Sequence, residues 1–490
     1  MSAKKFFYGA VLVLFLSCLR ITPISAAAPF QGYTYNHWGL TVPAPVSYTA
    51  TRSIRGTDID PTIGNFSNPA DLAVCLNNNI YLLDSGNNRV VIFNQKLELV
   101  NIIAEFTVNG GRETFNSPQG IFVCRNLNIY IADTENRRIV ILDNNGDFIS
   151  KITAPVMDDI DDEIDFRPTR VAVDLAGRVY AIVAHVFEGI MRFDEYGEFF
   201  GYFGTIDVRF NPVDMFWRFI ATQEQRQRMR RFIPTEFSGL DVDEYGFVFA
   251  AHASVGGRRN QVMRLNTQGV DVLRNLNPNI AINGDQIFRL IGVLSGSSVF
   301  IDVVARPNGM YSALDSVRRR VYTYCSEGNL LYVFGGTGNM YGMSRRPVAI
   351  GAIGDTILVL DAQRNSILYF EPTEYGSLIN QAIALRYQGD EEGSLDIWRE
   401  LLVMDENLTL AFTGIGRAHL LDGNYALAMD YLERGMDLRF YSLALGRRRQ
   451  AFLEDNLAYV FTGGAVIALG FIAYSVIKRI RVKIREVRHG

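Results

Sequence analysis

The sequence predicts a mainly β protein: a six-bladed propeller of short antiparallel sheets, then an α-helical repeat segment and one transmembrane helix. Three observations predict it. Asn68 to Phe93 can be laid over Ser117 to Leu142 with a register shift of 49 residues, and weaker copies follow. After Pro372 the apolar period changes from that of strands to that of helices. Leu457 to Ile477 is then a run of 21 residues without a charge, about 32 Å long as a helix and so matched to a hydrocarbon core.

From the N-terminus, residues 1–27 read as a secretory signal peptide. Lys4 and Lys5 precede an apolar run from Phe6 to Cys18 that is too short to span a bilayer, and the small residues Ser25 to Ala28 suit cleavage. At the other end, the basic tail 478–490 carries six bases against one acid. By the positive-inside rule that tail is cytoplasmic and the large N-terminal part is extracytoplasmic. The net charge of −4 thus hides an acidic body between two basic ends, which repels phosphate backbones and excludes a nucleic-acid partner. Signal removal leaves Cys75, Cys124 and Cys325, an odd count. So few thiols in an oxidising space point to a bacterial envelope protein that does not depend on disulfides. Cys75 and Cys124 hold the same position in successive repeats and read as small buried hydrophobes, with a bridge as the alternative.

Each repeat reads as a strand after a Pro, a second strand ending at Asp, a tight turn, and a third strand beginning after Arg. The turn recurs at positions 84, 133, 183, 252, 315 and 361. Such units cannot bury their faces singly, and stacked radially they form a propeller. The sixth copy ends near Pro372 without a fourth strand, while the strand-like run Val46 to Ile54 belongs to no copy. That run is expected to complete the sixth blade and close the ring.

The run Asp84-Ser85-Gly86-Asn87 followed by Arg89-Val90 and Phe93, repeated as Asp133 to Leu142, resembles the NHL repeat, and residues 33–372 resemble a six-bladed NHL propeller. Copy four departs, with His252 where the Asp would stand. The recurring Asp and Arg read as scaffold: Asp84 and Asp133 cap the turn, Asn87 and Asn136 take its left-handed position, and Arg89 and Arg138 pair with the carboxylates. Residues 376–455 read as helical repeats. Ala411, Gly416, Ala428 and Leu432, with Ala382 and Trp398 in an earlier unit, resemble two tetratricopeptide repeats over 376–440. By family position their inner groove presents Arg386, Tyr387 and Arg417, either as solvated charges or as a site for an acidic or C-terminal peptide.

Two insertions break the period. Residues 212–231 read as a helix whose second half carries Arg226, Arg228, Arg230 and Arg231, either packed on the propeller or serving as a lid or a contact to a partner or membrane; residues 271–298 show no pattern. The acidic loop 158–165 lacks the glycine-containing calcium pattern. Some propellers of this kind are metal-dependent lactonases or lyases, and His185 and His252 lie in neighbouring copies. They are out of phase and without an assignable third ligand, so they read as exposed turn residues. No nucleophile motif, phosphate loop or metal set appears, and no cofactor is expected. The reading is a non-catalytic extracytoplasmic binding or scaffold protein with protein partners in the cell envelope and room for a small-molecule or glycan ligand. A gluconolactonase- or lyase-type enzyme is the alternative.

Overall fold

The structure is a computed structural model that describes residues 28–155, 165–204, 236–252, 260–275, 281–285 and 297–489. The signal segment, the 212–231 insertion, most of the acidic loop and part of the 271–298 insertion lie outside them. Six sheets surround one axis. Blade 1 holds Asp71–Val74, Ile80–Asp84, Arg89–Phe93 and Leu99–Ile103; blade 2 holds Gly120–Val123, Ile129–Asp133, Arg138–Leu142 and Phe148–Ile152. Blade 3 runs from Pro168–Val173 to Phe199–Phe203, blade 5 from Phe300–Ala305 to Leu330–Gly335, each with four strands. Blade 4 has three described strands, Phe237–Val242, Val248–His252 and Val262–Leu265. Each innermost strand lies beside that of the next blade, and the sixth lies beside the first.

Blade 6 closes the ring as the sequence implies. Its strands Pro347–Ile353, Thr356–Asp361 and Ser366–Pro372 are joined by Tyr48–Ile54, with Pro372 opposite Tyr48 and Ile367 opposite Ile54. Between third and fourth strands the register shifts after Ile92, Ile141, Arg192 and Thr323. The closing strand carries the same irregularity, at Tyr369 and Phe370, so it takes the place of a regular outer strand.

Every second strand is buried along its whole length in blades 1, 2, 3, 4 and 5. Both its faces meet neighbouring blades, which is why these strands read as continuous apolar runs rather than alternating ones. The turn Asp is an internal partner. Asp84 accepts from Ser67 N at 2.7 Å, Asn87 Nδ2 at 2.8 Å and Arg89 Nε at 2.9 Å. Asp133 repeats the pattern with Asn116 N, Asn136 Nδ2 and Arg138 Nε. One expectation is corrected: the left-handed residue is Asn88 (φ 50°) or Arg137 (φ 55°), not Asn87 or Asn136. The Asn side chain is needed on the carboxylate, so the positive φ falls on the residue after it.

Past Thr373, whose hydroxyl caps the first helix through Gly376 N, come α1 (Glu374–Tyr387), α2 (Leu395–Met404), α3 (Thr409–Leu421), α4 (Tyr425–Arg434) and α5 (Leu438–His489). Trp398 and Leu432 fill the layers between helices and are fully buried. Gly414 lies against the Trp398 ring and Gly416 against Leu432, where an added Cβ would come within 2.4 and 2.6 Å of its neighbours. The propeller and helices share one core, which runs from Phe334 and Met310 through Tyr375 and Ile379 to Trp398. The end of the expected helical segment, the span and the tail form the single helix α5, in which Phe461–Arg485 is long and apolar enough to cross a membrane. That stretch begins and ends later than the charge-free run, because the basic residues after Ile477 continue the helix.

Candidate functional site: the propeller mouth beneath the helices

Registers define a ring of equivalent positions on the innermost strands. Asp71, Gly120, Arg170, Gly239, Asp302 and Ala349 each lie opposite the residue that precedes the turn position. Asp71 accepts from Ile121 N at 3.0 Å and Asp302 from Ile350 N at 2.8 Å, so each stitches its blade to the next. Arg170, on blade 3, donates to Gln119 O of blade 2 at 2.7 Å and to Val348 O of blade 6 at 3.2 Å. Its guanidinium therefore reaches across the axis. Burial and the Asp71 charge push Asp302 up to about 8, against the opposing pull of Arg170. Burial also raises Asp71 and lifts Asp241, farther along the axis, to about 7.

On the side of the turns that join first to second strands, a cavity of about 1010 Å³ opens between the propeller and the helices. A smaller hollow of about 330 Å³ lies at the other mouth, beside Gln119, Arg170 and Arg346. Arg386, Tyr387 and Arg417 all line the large cavity, but the two Arg are not solvated. Glu327, on a turn of blade 5, accepts from Arg386 Nη2 at 2.5 Å and from Arg417 Nη1 at 3.0 Å, and Arg417 Nη2 also meets Glu391 at 2.5 Å. Burial would raise the Glu327 carboxyl, but Arg386 and Arg417 override it and hold it below its ordinary value. An acidic group of the propeller thus occupies the place where a peptide carboxylate was expected. The Tyr387 hydroxyl lies 3.3 Å from that of Tyr245, and its ring covers Gly309.

A second buried network joins the two parts. Arg306 donates to Tyr332 Oη at 2.7 Å, Tyr48 Oη at 3.1 Å and Asp355 Oδ1 at 3.0 Å. Asn380 of α1 donates to Tyr48 Oη and Asp355 and accepts from Tyr332. Sequence reasoning missed this cluster; its one trace is a polar Asn on the buried face of α1.

The three described cysteines, Cys75, Cys124 and Cys325, are free and line the same cavity; Cys75 and Cys325 are buried, Cys124 partly so. The Cys75 and Cys124 thiols donate to Asn77 and Asn126 two residues on, within their own turns. His185 is exposed, but His252 is buried, its ring edge-on to Phe237. The reading as an exposed turn residue holds for His185 and is corrected for His252, because copy four keeps the buried strand end while losing the Asp turn. Among the described residues no three His, Cys, Asp or Glu side chains stand close enough to hold a metal ion.

The NHL repeat family matches residues 66–93 and 115–142. No curated protein matches the chain. Among solved structures it is similar to the selenomethionine-substituted virginiamycin B lyase from Staphylococcus aureus, at 11% identity and TM-score 0.40, covering 66% of this chain and 99% of that one. A streptogramin B lyase (10% identity, TM-score 0.38) is matched over 63% of this chain and 94% of that one. A structural-genomics target assigned as a gluconolactonase (11% identity, TM-score 0.40) is matched over 67% and 94%.

Proposed function

We propose that this protein is a membrane-tethered, non-catalytic binding or scaffold protein, its propeller and helical units extracytoplasmic and its basic tail cytoplasmic, serving partners in the cell envelope. The observation that carries the reading is the joint between the two units. A shared core and two buried polar networks fix the helices to the propeller, and α5 continues from them into the apolar stretch. A rigid body on a helical tether suits presentation of a binding face at a set distance from a membrane. Residues 376–440 act in it as two tetratricopeptide-like units, whose groove residues Arg386 and Arg417 engage the propeller itself while Tyr387 remains at the cavity edge.

Lactonase or lyase chemistry in a propeller requires metal ligands converging on the axis, so metal content tests the reading. Full-length chain purified from membranes without chelator is expected to carry only substoichiometric zinc or calcium and to cross-link to a defined envelope protein. One tightly held equivalent of either metal, with no cross-linked partner, favours the enzyme alternative and rejects this proposal.

A further inference from the structure

The large cavity has a chemical bias that the partner-binding reading does not use. Its lining acids are engaged: Asp174 by Arg178, Asp243 by Arg264, Glu327 by Arg386 and Arg417, and Asp241 by the Ala305 amide. Glu244, exposed at the rim, is the exception. Two lining bases have no such match. Arg125 and Arg274 are exposed at the rim, and among the described residues neither forms an ion pair; Arg125 donates to the Glu244 carbonyl. Deeper in, three donors of lining residues lack acceptors among the described residues. They are the Tyr311 hydroxyl and Arg306 Nε, on buried residues, and Arg386 Nη1, on a side chain 7% exposed. A buried donor without an acceptor costs free energy that a ligand oxygen recovers. Between these polar groups, Leu76, Leu175 and Tyr245 expose apolar surface at the mouth, 71%, 52% and 56% accessible respectively.

Unmatched cations, buried donors awaiting oxygen, and an apolar rim together fit one kind of molecule. We infer that this cavity is a binding site for a small amphipathic anion, an organic acid with an aromatic or aliphatic body. Its carboxylate faces Arg125 and Arg274, an acceptor oxygen of its body reaches Tyr311, and its apolar part rests on Leu76 and Leu175. The volume suits such a ligand, since pockets for drug-sized molecules run from about 300 to 1,000 Å³.

The chain's own thiols report occupancy, because Cys75, Cys124 and Cys325 all line the cavity. Full-length protein in maltoside detergent is titrated with 1-naphthylacetate, its neutral amide and 1-naphthylmethylammonium. Calorimetry measures affinity, and peptide mass spectrometry follows maleimide labelling of Cys124. The anion is expected to bind about tenfold tighter than the amide and to slow Cys124 labelling. The exposed pair Arg125→Gln/Arg274→Gln is expected to remove that preference, and Tyr311→Phe to weaken the anion several-fold with melting unchanged. Equal binding of the three probes, anion binding without Cys124 protection, or a preference that survives the double Arg variant would each overturn the assignment. None of those results bears on the scaffold reading, which the metal and cross-linking measurements decide separately.

Discussion

Asp302 and Asp71 are carboxylates held inside a propeller axis with one guanidinium, Arg170, between blades. With the Asp302 carboxyl pushed up to about 8 by burial and by Asp71, the folded protein holds a proton that the unfolded chain, near its ordinary carboxylate value, has released. The stability linked to that proton is complete at acid pH and is lost as pH rises from about 4 to about 8, by at most about 1.4 kcal/mol per pH unit. Asp302→Asn keeps an oxygen for Ile350 N and is expected to flatten this slope in urea melts at pH 5, 6.5 and 8. Parallel curves for variant and wild type would show that the proton is not held there. At this scale the sequence was legible where chemistry repeats. Asp84 and Asp133 announced their roles because the same spacing carries Asn87 and Asn136, Arg89 and Arg138. The Arg306 network was illegible, since Tyr48 and Asn380 reach it from 258 and 74 positions away and neither belongs to a motif.

Among the elements, the strand Tyr48–Ile54 has the clearest consequence for stability. It covers the outer edge of blade 6 and places Tyr48 in the network that holds α1. Deleting residues 28–55 is expected to lower the melting temperature of the whole propeller by 10 °C or more, about what removing several kcal/mol does; an unchanged melt would mean that the ring closes without it. This element could be read in advance by simple accounting, since one blade lacked a strand and one strand lacked a blade. The end of the apolar helix was less legible. A charge-free run marks where apolar residues stop, whereas backbone bonding carries the helix on through Lys478 and Arg479 to His489. Helix pairing over 376–440 followed from small residues at close approaches, as at Gly416.

Across the whole molecule, the joint between propeller and helices is the feature composition could not reveal, because Glu327 looks like any surface acid until the fold sets it between two Arg. Removing its charge leaves Arg386 and Arg417 buried with Glu391 alone. Glu327→Gln is expected to cost about 3 kcal/mol, and Arg417→Gln added to it should cost less than the two changes separately. A double-mutant cycle in urea checks this, and strict additivity would show that the cluster is not a coupled unit. The ring closure also governs when this fold can exist. Tyr48 and Pro372 become neighbours across roughly 300 residues of chain, so the pairing that completes the sheet carries a large loop entropy and forms late. A ribosome delivers the first partner long before the second. Until then the early blades carry an open edge and unburied apolar faces, the state in which unfinished chains aggregate. Synthesis therefore includes an interval in which this protein depends on being kept apart from its own copies.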